Sequence, residues 1–233
     1  MSEYPTQFIA TSQLAIFPIQ IKMICEARSL KNDIGQIGAL NMLLITANTT
    51  FLEDFISSIL DRLCDQSFAN TGINRIHQNI ITQLKKDIYD KGFSEYQKII
   101  KTLTGKEFAA FAPTTWKTIR ILFQLRNKLA HGRTISVAYY EPGENKPGKA
   151  VLENMSEIQA YLNEKKLLPS DSYEMGPFNV IANKVVYHFI EQTYKFIEEC
   201  HKNLTTEFKI VSVDMLDYAM TELGDILQNI KDQ

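Results

Sequence analysis

Between Ile19 and Ala112 the chain contains no proline. Proline removes a backbone N–H and its ring clashes with the preceding turn, so so long a proline-free span leaves room for long helices. The apolar pattern fills that room. Leu40, Leu44, Ala47, Phe51 and Phe55 recur at the helical period, and Ile45, Leu52 and Ile56 occupy the other side. A helix apolar on most sides sits centrally in a bundle. The spacing predicts such a helix over residues 41–64, with one polar stripe of Thr46, Thr49, Glu53 and Ser57.

Further helices are predicted over residues 19–28, 73–89 and 95–103, the last two separated near Lys91-Gly92, with a turn at Asn70-Thr71-Gly72. Thr114 or Thr115, following Pro113, can N-cap the next helix, and Gly132 can end it. The period then changes. Ile135, Val137 and Tyr139 alternate, a Pro/Gly-rich loop follows, and residues 150–152 resume an apolar run, which reads as a β-hairpin. Helices over 156–167, 180–203 and 213–230 complete the chain, with a turn near 205–208. The fold class is mostly α: a helical bundle with a β-hairpin insertion after the helix that ends at Gly132. We treat residues 1–233 as one domain, with a core over about 35–205, the hairpin insert at 133–154 and a C-terminal helix in 206–233.

Charge is unevenly spread. From Phe108 to Tyr140 there is no Asp or Glu, yet Lys117, Arg120, Arg126, Lys128 and Arg133 fall there, in a chain of net charge −2. A local cationic patch beside a titratable imidazole, His131, can bind a phosphate and move a proton. A pI near 6.1 argues against a protein that coats nucleic acid by bulk charge. Three cysteines without a CxxC pair suggest a reducing compartment. The start of the chain lacks the basic region of a signal peptide. No unbroken apolar run approaches the roughly 18 residues that mark a membrane span. These features place the protein in the cytoplasm as an expectation, away from membranes.

On an ideal helix, at about 100° per residue, Arg120, Gln124, Asn127 and His131 share one stripe, opposite Leu122, Leu125 and Leu129. Arg126 lies about 140° from His131 on that wheel. Convergence of the two on one phosphate therefore needs a distorted helix end or a second protein surface. A plain reading stays open: a histidine at a helix C-terminus meets the dipole favourably, and glycine after it is ordinary. His77, His188, His201 and Cys200 lack metal-site spacing, and there is no GxxxxGK[ST], GxGxxG or GxSxG motif. No metal and no cofactor is implied. Tyr139 and Tyr140 can stack on bases or pack within the hairpin. The acidic C-terminal half, with Glu198, Glu199, Asp214, Asp217, Glu222 and Asp225, reads as a solvated helix face.

The segment Arg126-Asn127-Lys128-Leu129-Ala130-His131, ending a helix in a mostly α chain, resembles the HEPN superfamily, whose motif is an arginine, a polar residue, a short spacer and a histidine. Glu53, in Phe51-Leu52-Glu53-Asp54-Phe55, is similar in position to an acidic residue of that family's first core helix. The hairpin and the final helix are not part of the family's common core. The resemblance implies a metal-independent endoribonuclease that leaves 2′,3′-cyclic phosphate and 5′-hydroxyl ends, a homodimer whose two motifs meet across the interface, acting as a toxin or defence effector with an antitoxin protein as partner. Arg126 would hold the phosphate, His131 would move protons, Asn127 would orient either, and Glu53 would fix Arg126 or tune His131. Arg120, Lys128 and Arg133 are the candidate substrate-binding cations. Members that have lost activity serve as binding or dimerisation modules, which is the alternative. Glu53 can equally be a structural buried carboxylate.

Overall fold

The computed structural model describes residues 13–69, 75–131, 134–141, 148–171, 174–209 and 216–231. It is mostly helical, with nine α-helices among the described residues and a two-stranded antiparallel hairpin after the sixth. In chain order the helices are α1 Gln13–Ser29, α2 Ile34–Ala69, α3 Arg75–Asp90, α4 Phe93–Thr104, α5 Phe108–Phe111 and α6 Trp116–Ala130. Strands β1 Val137–Tyr140 and β2 Lys149–Leu152 follow, then α7 Ser156–Glu164, a 3-10 turn at Pro177–Ile181, α8 Asn183–Phe208 and α9 Leu216–Lys231. The Asn70-Thr71-Gly72 turn, Gly132, Arg133 and Asp214 lie outside the described residues.

The 36-residue α2 is the axis of the bundle. It packs against α1, α3, α4, α6 and α8. Phe51, Leu52, Phe55, Ile56, Ile59 and Leu60 are all essentially sealed from solvent, which explains apolar residues on most of its sides. By length and composition α2 could also cross a membrane, at a mean hydropathy of 1.2, but 56% of that window is buried inside the bundle. Its apolarity is accounted for by the protein core it fills.

Several features differ from the sequence expectation: α2 runs Ile34–Ala69 where the spacing predicts 41–64, α7 stops at Glu164 short of 167, and the 3-10 turn Pro177–Ile181 takes residues expected to open α8. Helix α1 runs through Pro18, although that residue has no N–H to give the ladder. Leu14, Phe17 and Ile21 are buried on either side of it, and Phe17 stacks on Phe51 of α2 at 4.5 Å. Burying side chains of this size stabilises by about 1.5–3 kcal/mol each, enough to carry one missing hydrogen bond. Helix α8 continues through the turn expected near 205–208 and ends at Phe208, with Lys209 left-handed at φ 53°. Thr115 precedes α6 but makes no side-chain cap there. Instead the Thr114 and Thr115 hydroxyls both donate to Glu199 Oε2 of α8 at 2.9 Å. Glu199 is thus a tie between α6 and α8, not a member of a solvated face.

The hairpin pairs Val137 with Leu152 and Tyr140 with Lys149. Its alternation is weak. Ala150 and Leu152 are buried while Tyr139 and Tyr140 are more than half exposed, because α7 packs on β2. Gln159 of α7 accepts from the Leu152 N–H and donates to the Ala150 carbonyl, both at 2.8 Å. That side chain satisfies the outer edge of β2, which would otherwise be an open edge.

Candidate functional site

Helix α6 presents Leu122, Leu125 and Leu129 to the core. Its remaining surface divides into two regions. On one, Arg126 turns towards α2, and its Nη2 donates to Glu53 Oε1 at 2.7 Å. The side chains are 26% and 27% exposed. The guanidinium carbon lies 5.7 Å from the Phe123 ring, and Phe123 stacks on Phe93 of α4 at 3.7 Å. The arginine is therefore held at its guanidinium by a carboxylate and by the face of an aromatic ring.

Glu53 occupies the polar stripe of the central helix, so it is the element most anchored in the bundle that positions Arg126. The start of α4 comes close to it: a Cβ built on Gly92 would lie 3.8 Å from Glu53 Oε1. Burial pushes the Glu53 carboxyl above its usual range, and the Arg126 charge and hydrogen bond only partly oppose this. A carboxyl in that setting depends on its arginine.

On the other region, Asn127 and His131 are exposed. His131 is the C-cap of α6, at φ −80° and ψ 8°, and its backbone N–H donates to the Asn127 carbonyl at 3.2 Å. Among the described residues neither the imidazole nor the Lys128 ammonium has a hydrogen-bonding or ionic partner. The structure does not join Arg126 to His131 within one chain by any contact among those residues. The two emerge on different sides of the helix end, as the wheel requires.

The acid-free window is less cationic in three dimensions than in sequence. Acids from other helices answer it: Lys117 meets Glu164 at 2.7 Å, Arg126 meets Glu53, and Arg120 lies 3.9 Å from Glu157. Glu157 also accepts from Gln124 Nε2 at 2.9 Å. The Arg120 and Gln124 half of the polar stripe is thus engaged by the start of α7, leaving Asn127 and His131 as its open part. Glu157 and Glu164 carried no signal in the sequence, because nothing local links them to α6.

A second polar cluster also went unanticipated. Thr118 Oγ1 lies 2.6 Å from Tyr161 OH, and Tyr161 OH lies 2.7 Å from His188 Nε2, joining α6, α7 and α8. Burial holds His188 below its usual range. A neutral ring accepting at Nε2 lets Tyr161 donate to it and Thr118 donate to Tyr161. Among the described residues no group of three His, Cys, Asp or Glu side chains could hold a metal ion.

Comparison with family models, curated proteins and solved structures finds no match to this chain.

Proposed function

We propose that the chain is a metal-independent, HEPN-type endoribonuclease whose reacting groups are Arg126 and His131, completed by a second copy of the chain. The observation that carries this reading is the division of labour on α6. Arg126 is oriented by Glu53 through one nitrogen only, while the His131 ring stands at an exposed helix end. In the reaction, a histidine takes the proton of a ribose 2′-hydroxyl, the 2′-oxygen attacks the adjacent phosphorus, and the bond to the 5′-oxygen breaks. The second chain's histidine returns a proton to that leaving oxygen. Arg126 binds the phosphate oxygens, whose charge grows in the transition state. Asn127 orients the phosphate or the imidazole, and Lys128 adds charge along the same edge. Glu53 acts through Arg126 as a positioning residue.

The direct test incubates purified protein with total RNA in EDTA, beside His131→Ala. The proposal requires cleavage that survives the chelator, is lost in the variant, and leaves 2′,3′-cyclic phosphate and 5′-hydroxyl ends. Cleavage that depends strictly on a divalent ion, or 5′-phosphate products, would overturn it. One observation favours a second reading, a non-catalytic helical binding or dimerisation module. Arg126 is already neutralised by Glu53, and a permanently engaged guanidinium gains less from a phosphate. Absence of cleavage of any RNA tested makes that the better reading.

A further inference from the structure

Arg28 is 8% exposed, yet among the described residues no carboxylate forms an ion pair with it. Its Nη1 donates to Asn41 Oδ1 at 3.0 Å, its Nη2 lies 3.8 Å from Cys25 Sγ, and its guanidinium carbon sits 4.6 Å from the centre of the Tyr187 ring. All three partners are neutral. Asn41 is itself fixed, donating to the Ile181 carbonyl at 2.7 Å and to Asn183 Oδ1 at 2.9 Å. A desolvated cation without an anion is costly, and buried charges are ordinarily paired.

The missing anion has somewhere to sit. Arg28 lines a cavity of about 1000 Å³ between α1, α8 and α9. Lys22 and Lys31 flank Arg28 on the α1 side of that cavity, are exposed, and form no ion pair among the described residues. Ile19 and Met23, 51% and 63% exposed, give the same wall apolar surface. Glu26 on the α1 wall and Glu222 and Asp225 on the α9 side also line it; these acids would repel a polyanion or a ligand negatively charged at both ends, so the cations suit a single anionic head. The cavity volume falls at the upper end of the range for small-molecule sites.

We propose that this cavity binds a small organic anion, its carboxylate or phosphate head on Arg28 between Lys22 and Lys31 and its apolar body against Tyr187 and Met23. Arg28 supplies the charge-assisted hydrogen bonds that fix the head, since its fork suits either group. The site uses none of the residues assigned to RNA cleavage and stands or falls separately from that reading.

Cys25 provides a reporter inside the cavity. It is the half-buried cysteine, whereas Cys64 and Cys200 are buried. Burial pushes its thiol up, so alkylation by iodoacetamide is slow and is followed at one fixed alkaline pH, where the thiolate fraction is larger than at neutrality. The probes are phenyl phosphate and benzoate, with inorganic phosphate as the head alone and phenol as the body alone. The full-length protein should bind phenyl phosphate or benzoate with a Kd of about 1 mM or tighter, and the same concentrations should slow Cys25 alkylation. Inorganic phosphate should bind more weakly, and phenol should not protect. Arg28→Gln should lose about tenfold or more in affinity. If that variant does not fold, the exposed pair Lys22→Ala/Lys31→Ala decides, with a several-fold loss expected. Either of two results overturns the proposal: no protection of Cys25 by either aromatic anion, or affinity unchanged in the variant that folds.

Discussion

Arg126 and Glu53 are 73 residues apart in sequence and 2.7 Å apart in the fold. The pair ties the central helix α2 to α6, and it is lopsided. Burial raises the Glu53 carboxyl despite its arginine, so the ion pair does not fully offset the desolvation of the acid.

Glu53→Gln should therefore be tolerated, within about 1 kcal/mol, because the amide oxygen still accepts from Arg126. Arg126→Ala should cost about 1–3 kcal/mol, because it leaves a half-buried carboxylate without a cation. The pH trend follows from the raised value. Proton uptake by Glu53 stabilises the fold fully below the ordinary carboxylate range, and that contribution is lost as pH rises through the raised value. Denaturant titrations at pH 4 and pH 7 should show Glu53→Gln gaining on wild type at the higher pH. The same difference at both would show that Glu53 is not strained.

Arg126→Lys separates grip from charge. Lysine keeps the charge but cannot present a planar fork to both Glu53 and a phosphate. RNA cleavage should fall by at least about 100-fold, comparable to the loss of a transition-state donor, while the melting temperature moves by only a few degrees. His131→Ala should abolish cleavage yet bind RNA better than Arg126→Ala. Equal RNA degradation by wild type and both alanine variants would mark the activity as a contaminant.

Much of the helical architecture was legible because burial writes a 3.6-residue period into the chain. The core of α2 is visible in the spacing of Leu44, Phe51 and Phe55, all buried. Helix α1 was not fully legible, since Pro18 is a local stop signal that the burial of Leu14, Phe17 and Ile21 and the Phe17–Phe51 stack override. The candidate site was half legible. The Arg126 to His131 segment stands out by residue type, and its split across two sides follows from helix geometry. The neutralisation of Lys117 by Glu164 and the engagement of Gln124 by Glu157 were not legible. Such contacts join residues 47 and 33 positions apart, and no local pattern encodes them.

The proposed composite site requires assembly. Arg126 and His131 lie on different sides of α6, so the proposal needs a second chain to bring both kinds of group to one phosphate. The protein should run as a two-fold dimer at micromolar concentration, with Asn127 and His131 at or beside the interface. Light scattering or sedimentation measures this directly. A monomer mass for active wild type would sink the two-chain mechanism, whereas substitution of Asn127 by a bulky arginine should shift a dimer towards monomer.

The Thr118–Tyr161–His188 chain should make stability fall in mild acid. Tyr161 is 2% exposed, so its hydroxyl needs the partners it has. His188 accepts from it only while the ring is neutral at Nε2. Burial lowers the His188 value, Glu191 opposes this, and Lys165 and Lys195 add to it. A depressed histidine contributes stability that is present above its unfolded value of about 6.5 and is lost as pH falls through the folded value. Melting temperatures recorded between about pH 7 and pH 5 should drop more steeply for wild type than for His188→Gln, whose amide can accept from Tyr161 at any pH. Tyr161→Phe should be less stable throughout by about 1–3 kcal/mol, since it strands the Thr118 hydroxyl and the His188 nitrogen together. Parallel slopes for wild type and His188→Gln would mean that the ring keeps its hydrogen bond when charged, and that the acid sensitivity comes from carboxylates elsewhere.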